Sequence, residues 1–159
     1  MGPWTWVFPR DHGSHPEFRT EWWYFTGNLL DPLKKRFGYQ LTFFRQGVLF
    51  NAKDPSHPWA IRDVYLAHFT LTDVSAGQFW YAERASRKGP GLAGASEEGM
   101  HLWLLNWMAK LEGNRIRLDA RHQGMELSLD LVPRKPLVFH GKNGLSEKGR
   151  MEGQASYYF

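Results

Sequence analysis

The chain contains no cysteine. That excludes disulfides and thiolate–metal sites, and leaves 159 residues to hold a core by packing alone. No apolar run approaches the roughly 18 residues needed to cross a bilayer, so no membrane span is expected. The N-terminus, MGPWTWVFPRDHG, lacks a basic stretch and an apolar stretch and is not a signal peptide as written. Localisation therefore stays open, with export or a periplasmic site implied only if a leader has been removed.

Clustered charge is also scarce. Twenty Lys and Arg stand against 16 Asp and Glu, for a net charge of +4. Apart from Lys34-Lys35-Arg36 in an expected turn, the basic residues are scattered. A groove for nucleic acid needs them gathered, so no nucleic-acid partner is expected. His12 and His15 bracket Gly13 and Ser14 without further ligands in a motif, and no metal is expected. HGKNG, with Lys142, lacks phosphate-loop spacing, and no cofactor is implied. No fixed-period repeat or low-complexity tract is present.

What the chain has in excess is aromatic surface: 16% of residues, with eight Trp. An aromatic-lined cavity or a buried interface would each account for it. The densest stretch is EWWYFTGN, residues 21–28. On a strand, Glu21, Trp23 and Phe25 share one face, and Trp22, Tyr24 and Thr26 the other.

Period-two patterning continues nearly everywhere. Strands are expected at 21–28, 38–46, 62–72 and from QFWYAER at 78. Residues 47–60 read as a loop, and 85–99 carry little pattern. HLWLLNWMAKLE, residues 101–112, fits a strand or a helix by periodicity. A single strand is favoured because its neighbours are strands and Gly99 and Gly113 bracket it. RIRLDA and GMELSLDLV alternate cleanly, turning Ile116, Leu118, Ala120, Met125, Leu127, Leu129 and Leu131 inward. LVFHG at 137–141 is expected as a short strand, and SYYF starts another. About eight or nine antiparallel strands predict an all-β, lipocalin-like barrel, closed or left partly open, that spans residues 1–159 as one domain. A small ligand cavity is expected inside it.

The motifs PRDHGSH at 9–15, EWWYFTGNL at 21–29, FGYQLTFFR at 37–45, LAHFTLTD at 66–73, RASRKGPGLAGA at 84–95, HGKNGLSEKG at 140–149 and ASYYF at 155–159 occur in an order and spacing that resembles the AttH-like family, which includes carotenoid 1,2-hydratase (hydroxyneurosporene synthase). The resemblance covers almost the whole chain. It implies the first of two lipocalin-like domains in a protein of roughly twice this length. It implies hydrophobic ligands and, if the protein is an enzyme, hydro-lyase chemistry shared with the second domain, or polyene cyclisation. Partners would be a hydrophobic small molecule or lipid, together with that second domain or another copy of the chain. A strand ending near Phe159 would leave a sheet edge open to such pairing.

Alkene hydration needs a proton donor in an apolar pocket and ring faces that stabilise a carbocation. Each such contact contributes about 2 kcal/mol when desolvated. Glu21, among rings, is the candidate acid, and His68 a candidate proton shuttle. The competing reading of Glu21 is an ion pair with Arg45, which a hairpin would place opposite it. The competing reading of His68 is a core histidine with a satisfied ring. Trp22, Trp23, Tyr24, Gln40, Phe43, Arg45, Trp103 and Trp107 are the candidate ligand contacts, with plain barrel core as the alternative for the rings. A purely structural role, burying these rings against a second domain, is the third reading.

Overall fold

The computed structural model describes residues 4–48, 61–89, 91–150 and 153–159. The expected loop at 47–60 falls largely outside them. The described residues form no α-helix and build eleven strands. β1 (Thr20–Leu30), β2 (Arg36–Gly47), β3 (Asp63–Asp73) and β4 (Gln78–Arg87) make an antiparallel meander in sequence order. β5 (Ala93–Ala95), β6 (His101–Leu104), β7 (Trp107–Glu112), β8 (Arg115–His122) and β9 (Met125–Leu131) make a second antiparallel meander. β10 (Leu145–Glu147) and β11 (Ala155–Tyr157) form a separate small hairpin.

The sheets are all antiparallel and do not close into a barrel, the partly open version of the expected lipocalin-like architecture. Alternation decides the faces. Phe25, Tyr39, Leu41, Phe43, Tyr65, Ala67 and Phe69 from the first sheet are buried against Leu102, Leu104, Trp107, Ala109, Leu118, Ala120 and Leu127 from the second. Ile116, Met125, Leu129 and Leu131 flank that core as partly buried neighbours. Phe69 and Trp107 meet edge to face, with ring centroids 5.7 Å apart, a favoured aromatic geometry. The interior between the sheets is thus packed with side chains at the place where the sequence suggested a cavity. No helix among the described residues is long and apolar enough to cross a membrane.

Two local expectations are corrected. HLWLLNWMAKLE is a hairpin: β6 and β7 pair from Leu104↔Trp107 to His101↔Lys110, with Leu105 at φ 57° in the turn. The apolar run hides the turn because Leu105-Asn106 carries neither Gly nor Pro. LVFHG forms no strand; Leu137, Val138 and Phe139 are exposed, and His140 meets the C-terminus through its backbone N–H to the Tyr158 carbonyl at 3.2 Å. The weakly patterned 85–99 segment contains β5, whose small residues AGA allow close packing but give little periodic signal.

Candidate functional site

The N-terminal segment, residues 4–18, runs alongside β1 and ends in a compact polar knot. A short 3-10 turn (Arg10–His12) presents Asp11, which is buried. Asp11 Oδ2 accepts from the Val7 backbone N–H at 2.7 Å and from Trp4 Nε1 at 3.1 Å. Its Oδ1 accepts from Arg10 Nε at 3.0 Å. Gly13 follows with no room for a side chain: a Cβ there would lie 2.5 Å from the Ser96 carbonyl and 2.9 Å from that of Gly99. This close approach, with the Ser14 N–H donating to the Ser96 carbonyl at 2.7 Å, clamps the segment to the loop before β6.

His15 lies between two carboxylates. Its Nδ1 is 3.0 Å from Glu21 Oε1 and its Nε2 3.3 Å from Asp11 Oδ1. Hydrogen bonding to Glu21, reinforced by Asp11, raises the imidazole above its ordinary 6.5 against the opposing effect of burial. For Asp11 burial acts upward, yet the bonds from Val7, Trp4, His15 and Arg10 together hold it below its ordinary 3.8.

Glu21 also accepts from Ser14 Oγ at 2.9 Å and from the His15 backbone N–H at 2.8 Å. On β2, directly across from it, is Arg45. The Arg45 guanidinium is buried and donates to Glu21 Oε2 at 2.6 Å, to Asp63 Oδ1 at 2.7 Å, to the His15 carbonyl at 2.9 Å, and to the Phe18 carbonyl. The fork geometry of arginine lets one buried cation tie two strands and the N-terminal segment together.

Above this network lies a cavity of about 560 Å³. Its walls come from the N-terminal segment (Trp4, Trp6, Phe18), from β1 (Trp22, Trp23, Tyr24) and from the C-terminal residues Tyr157, Tyr158 and Phe159. β1 is the end strand of its sheet, so a cavity beside it is reached by rings from both strand faces. Trp23 is anchored by Nε1 donating to the His12 carbonyl at 3.1 Å. A second part of the wall is fixed by Trp6, whose Nε1 donates to the Asn143 carbonyl at 3.0 Å. The Trp6 indole packs over Gly144, where φ is 90° and a Cβ would meet the ring at 2.4 Å. Phe159 completes that wall, with ring centroids 5.1 Å from Trp6 and 4.9 Å from Phe8.

Of the residues singled out from sequence, the fold brings Glu21, Trp22, Trp23 and Tyr24 to this cleft. Arg45 lies beneath it as the partner of Glu21. The others are elsewhere. Phe43 and Trp107 are fully buried core. Trp103 lies on the far side of β6 from the buried Leu102 and Leu104, its indole over Gly94 and its Nε1 donating to the Gly91 carbonyl at 3.0 Å. Gln40 donates to Thr42 Oγ1 at 3.2 Å. His68 is on the opposite face of the first sheet from Glu21, against the Phe44 ring at 5.2 Å and across from Thr42 and Glu83. The Phe44 ring contacts both His68 and Tyr24 of the cleft wall, and His68 itself does not line the cleft.

The sequence reading missed His15 as a partner of Glu21, Asp11 as the second carboxylate on His15, and Trp4, Trp6, Phe18, Tyr157 and Phe159 as walls. The signals were the PRDHGSH spacing and the alternation of Trp4 and Trp6, both in the loop segment ahead of β1, where strand periodicity gives no register. Asp11, His15 and Glu21 are committed to one another and to Arg10 and Arg45. Among the described residues no cluster of three or more such side chains is placed to hold a metal ion.

The chain matches the model of the AttH-like family over residues 1–159. A crystal structure of a protein provisionally assigned as AttH, from Nitrosomonas europaea, shares the fold with a TM-score of 0.82 at 34% sequence identity. The alignment covers 99% of this chain and 48% of that one, so the chain spans about half the length of that protein. No curated protein matches. Since the family match takes in every element of the cleft, from Trp4 to Phe159, and the fold is shared at that identity, the chain belongs to the AttH-like family.

Proposed function

We propose that the cleft beside β1 binds an apolar, isoprenoid-like or lipid ligand, and that the chain acts as the N-terminal, ligand-binding half of a two-domain AttH-like protein. The observation that carries this reading is the cavity of about 560 Å³ walled by aromatic rings from three separate parts of the chain. Its volume falls within the roughly 300–1,000 Å³ of small-molecule pockets. The wall rings pack on one another, Trp6 against Phe159 and Trp4 against Tyr157, and still leave that space beside them. The indoles of Trp6 and Trp23 are each fixed by a hydrogen bond to a backbone carbonyl.

Binding is favoured over hydration or cyclisation by the state of Glu21. Both of its oxygens are engaged by donors from Ser14, His15 and Arg45. A general acid would need an oxygen carrying a proton toward the ligand. The carboxylate here organises the floor of the cleft. A second domain, or a second copy of the chain, is the proposed neighbour of the exposed β1 side.

The test is direct. Trp4, Trp6, Trp22 and Trp23 line the cleft, so an isoprenoid alcohol such as farnesol should quench intrinsic fluorescence saturably, and mass spectrometry of the purified protein should detect co-purified lipid. Substituting Trp23→Ala should weaken the farnesol titration about tenfold or more, as expected for losing a large ring from a pocket wall. Absence of saturable quenching together with no bound lipid would overturn the reading. A clean monomer on size-exclusion chromatography, at concentrations where the cleft binds farnesol, would remove the second-copy proposal alone.

A further inference from the structure

Of the polar side chains that line the cleft outside the Glu21–Arg45 network, His12 is the one with an enclosed ring nitrogen that has no hydrogen-bond partner among the described residues. Its ring lines the cavity and is held by Phe8 at 4.7 Å and Phe159 at 5.3 Å between centroids. Its backbone is fixed as well: the N–H donates to the Pro9 carbonyl at 3.1 Å, and the carbonyl accepts from Trp23. The ring therefore has a defined orientation. Within it, Nδ1 is enclosed and has no hydrogen-bond partner among the described residues.

That enclosed nitrogen determines the tautomer. An imidazole has one N–H when neutral and two when charged. A proton on Nδ1 would bury a donor, or a cationic donor, with no acceptor, whereas a bare lone pair there is the less costly state. The proton is then on Nε2, and the ring is neutral. Burial also lowers the His12 imidazole below its ordinary 6.5 against the opposing field of Asp11, which keeps it neutral at physiological pH. Its neighbour His15 has the opposite character, bridging two carboxylates. The PRDHGSH segment thus supplies one histidine bridged between two carboxylates and one that has only an N–H to offer.

Resting on the reading of the cleft as an apolar binding site, we infer that His12 Nε2–H is the polar anchor of that site, and that the ligand carries a neutral oxygen acceptor, a hydroxyl or carbonyl, on an otherwise apolar skeleton. The guanidiniums of Arg10 and Arg45 are already paired with Asp11 and Glu21, so neither is free to take an anionic headgroup. A donor in an apolar site discriminates strongly, because a ligand without an acceptor leaves it desolvated and unpaired.

The experiment compares farnesol with farnesene, which differ by that oxygen, by fluorescence titration of the full chain and of two variants. The measured quantity is the ratio of the farnesene Kd to the farnesol Kd. In the wild type this ratio should exceed that of His12→Phe, which keeps the ring but removes the donor, by about tenfold. His12→Gln, which restores an N–H near the Nε2 position, should recover most of the difference. Long-range proton–nitrogen NMR of the wild type should show the Nε2–H tautomer at neutral pH and a shift of Nε2 on adding farnesol, and this readout requires no variant to fold. An unchanged ratio in His12→Phe, or an Nδ1–H tautomer, overturns the inference while leaving the cleft as a binding site. Failure of both probes to bind the wild type overturns the cleft reading itself.

Discussion

Arg45 and Glu21 face each other across the β1–β2 ladder, joined at 2.6 Å with their side chains 3% and 11% exposed. The pair links the floor of the cleft to the core of the first sheet, and Asp63 on β3 completes the charge balance on the far side of the guanidinium.

Removing the cation is therefore expected to cost more than removing either anion. Arg45→Ala leaves two carboxylates and two backbone carbonyls without their donor, and should lower stability by about 3–5 kcal/mol in urea denaturation. Glu21→Gln keeps an acceptor and should lose about 1–2 kcal/mol. A loss below about 1 kcal/mol for Arg45→Ala would show that the network is not the anchor described here.

The two sides of the knot respond oppositely to pH. The folded pKa of His15 is raised, so its stabilisation is complete below about 6.5 and is lost as pH rises through the folded value. That of Asp11 is lowered, so its stabilisation is complete above about 3.8 and is lost as pH falls through the folded value. The urea midpoint should decline on going from about pH 6 to pH 9, and His15→Gln should flatten that decline. An identical slope in wild type and variant would assign the titration to another group.

Gly13 tests how the N-terminal segment is held. A Cβ at this position meets backbone atoms of Ser96 and Gly99, which cannot swing aside as a side-chain end could. Gly13→Ala should cost about 1–3 kcal/mol and should also weaken farnesol binding, because the Trp4 and Trp6 wall would shift away from β1. Retained affinity at unchanged stability would mean the segment docks independently of that contact.

Trp107 separates core from cleft. It is fully buried, its Nε1 donates to the Arg121 carbonyl at 2.9 Å, and the Arg84 guanidinium lies 4.4 Å from its ring centre. Trp107→Ala should destabilise by about 3–5 kcal/mol. Trp107→Phe should cost less and leave farnesol affinity unchanged, as measured by titration under folding conditions. A specific loss of affinity in the Phe variant would return this ring to the binding site.

The sequence by itself determined the strands and most of their faces, because alternation is a local property that survives without knowledge of partners. Alternation put Glu21, Trp23 and Phe25 on one face of β1 without saying that this face is the inner one, and the hairpin register that sets Glu21 opposite Arg45 follows from the length of one turn. It did not separate Trp103 from Trp107, since the turn at Leu105-Asn106 is built from residues that read as strand. Only the tertiary structure decided where the open space lies. The cleft forms where residues 4–18, His140 and residues 155–159 meet the end strand of the first sheet, held by contacts such as Trp6 to Asn143, 137 positions apart. Periodicity carries no information about such distant contacts, because they depend on which ends of the chain converge once the two sheets have packed.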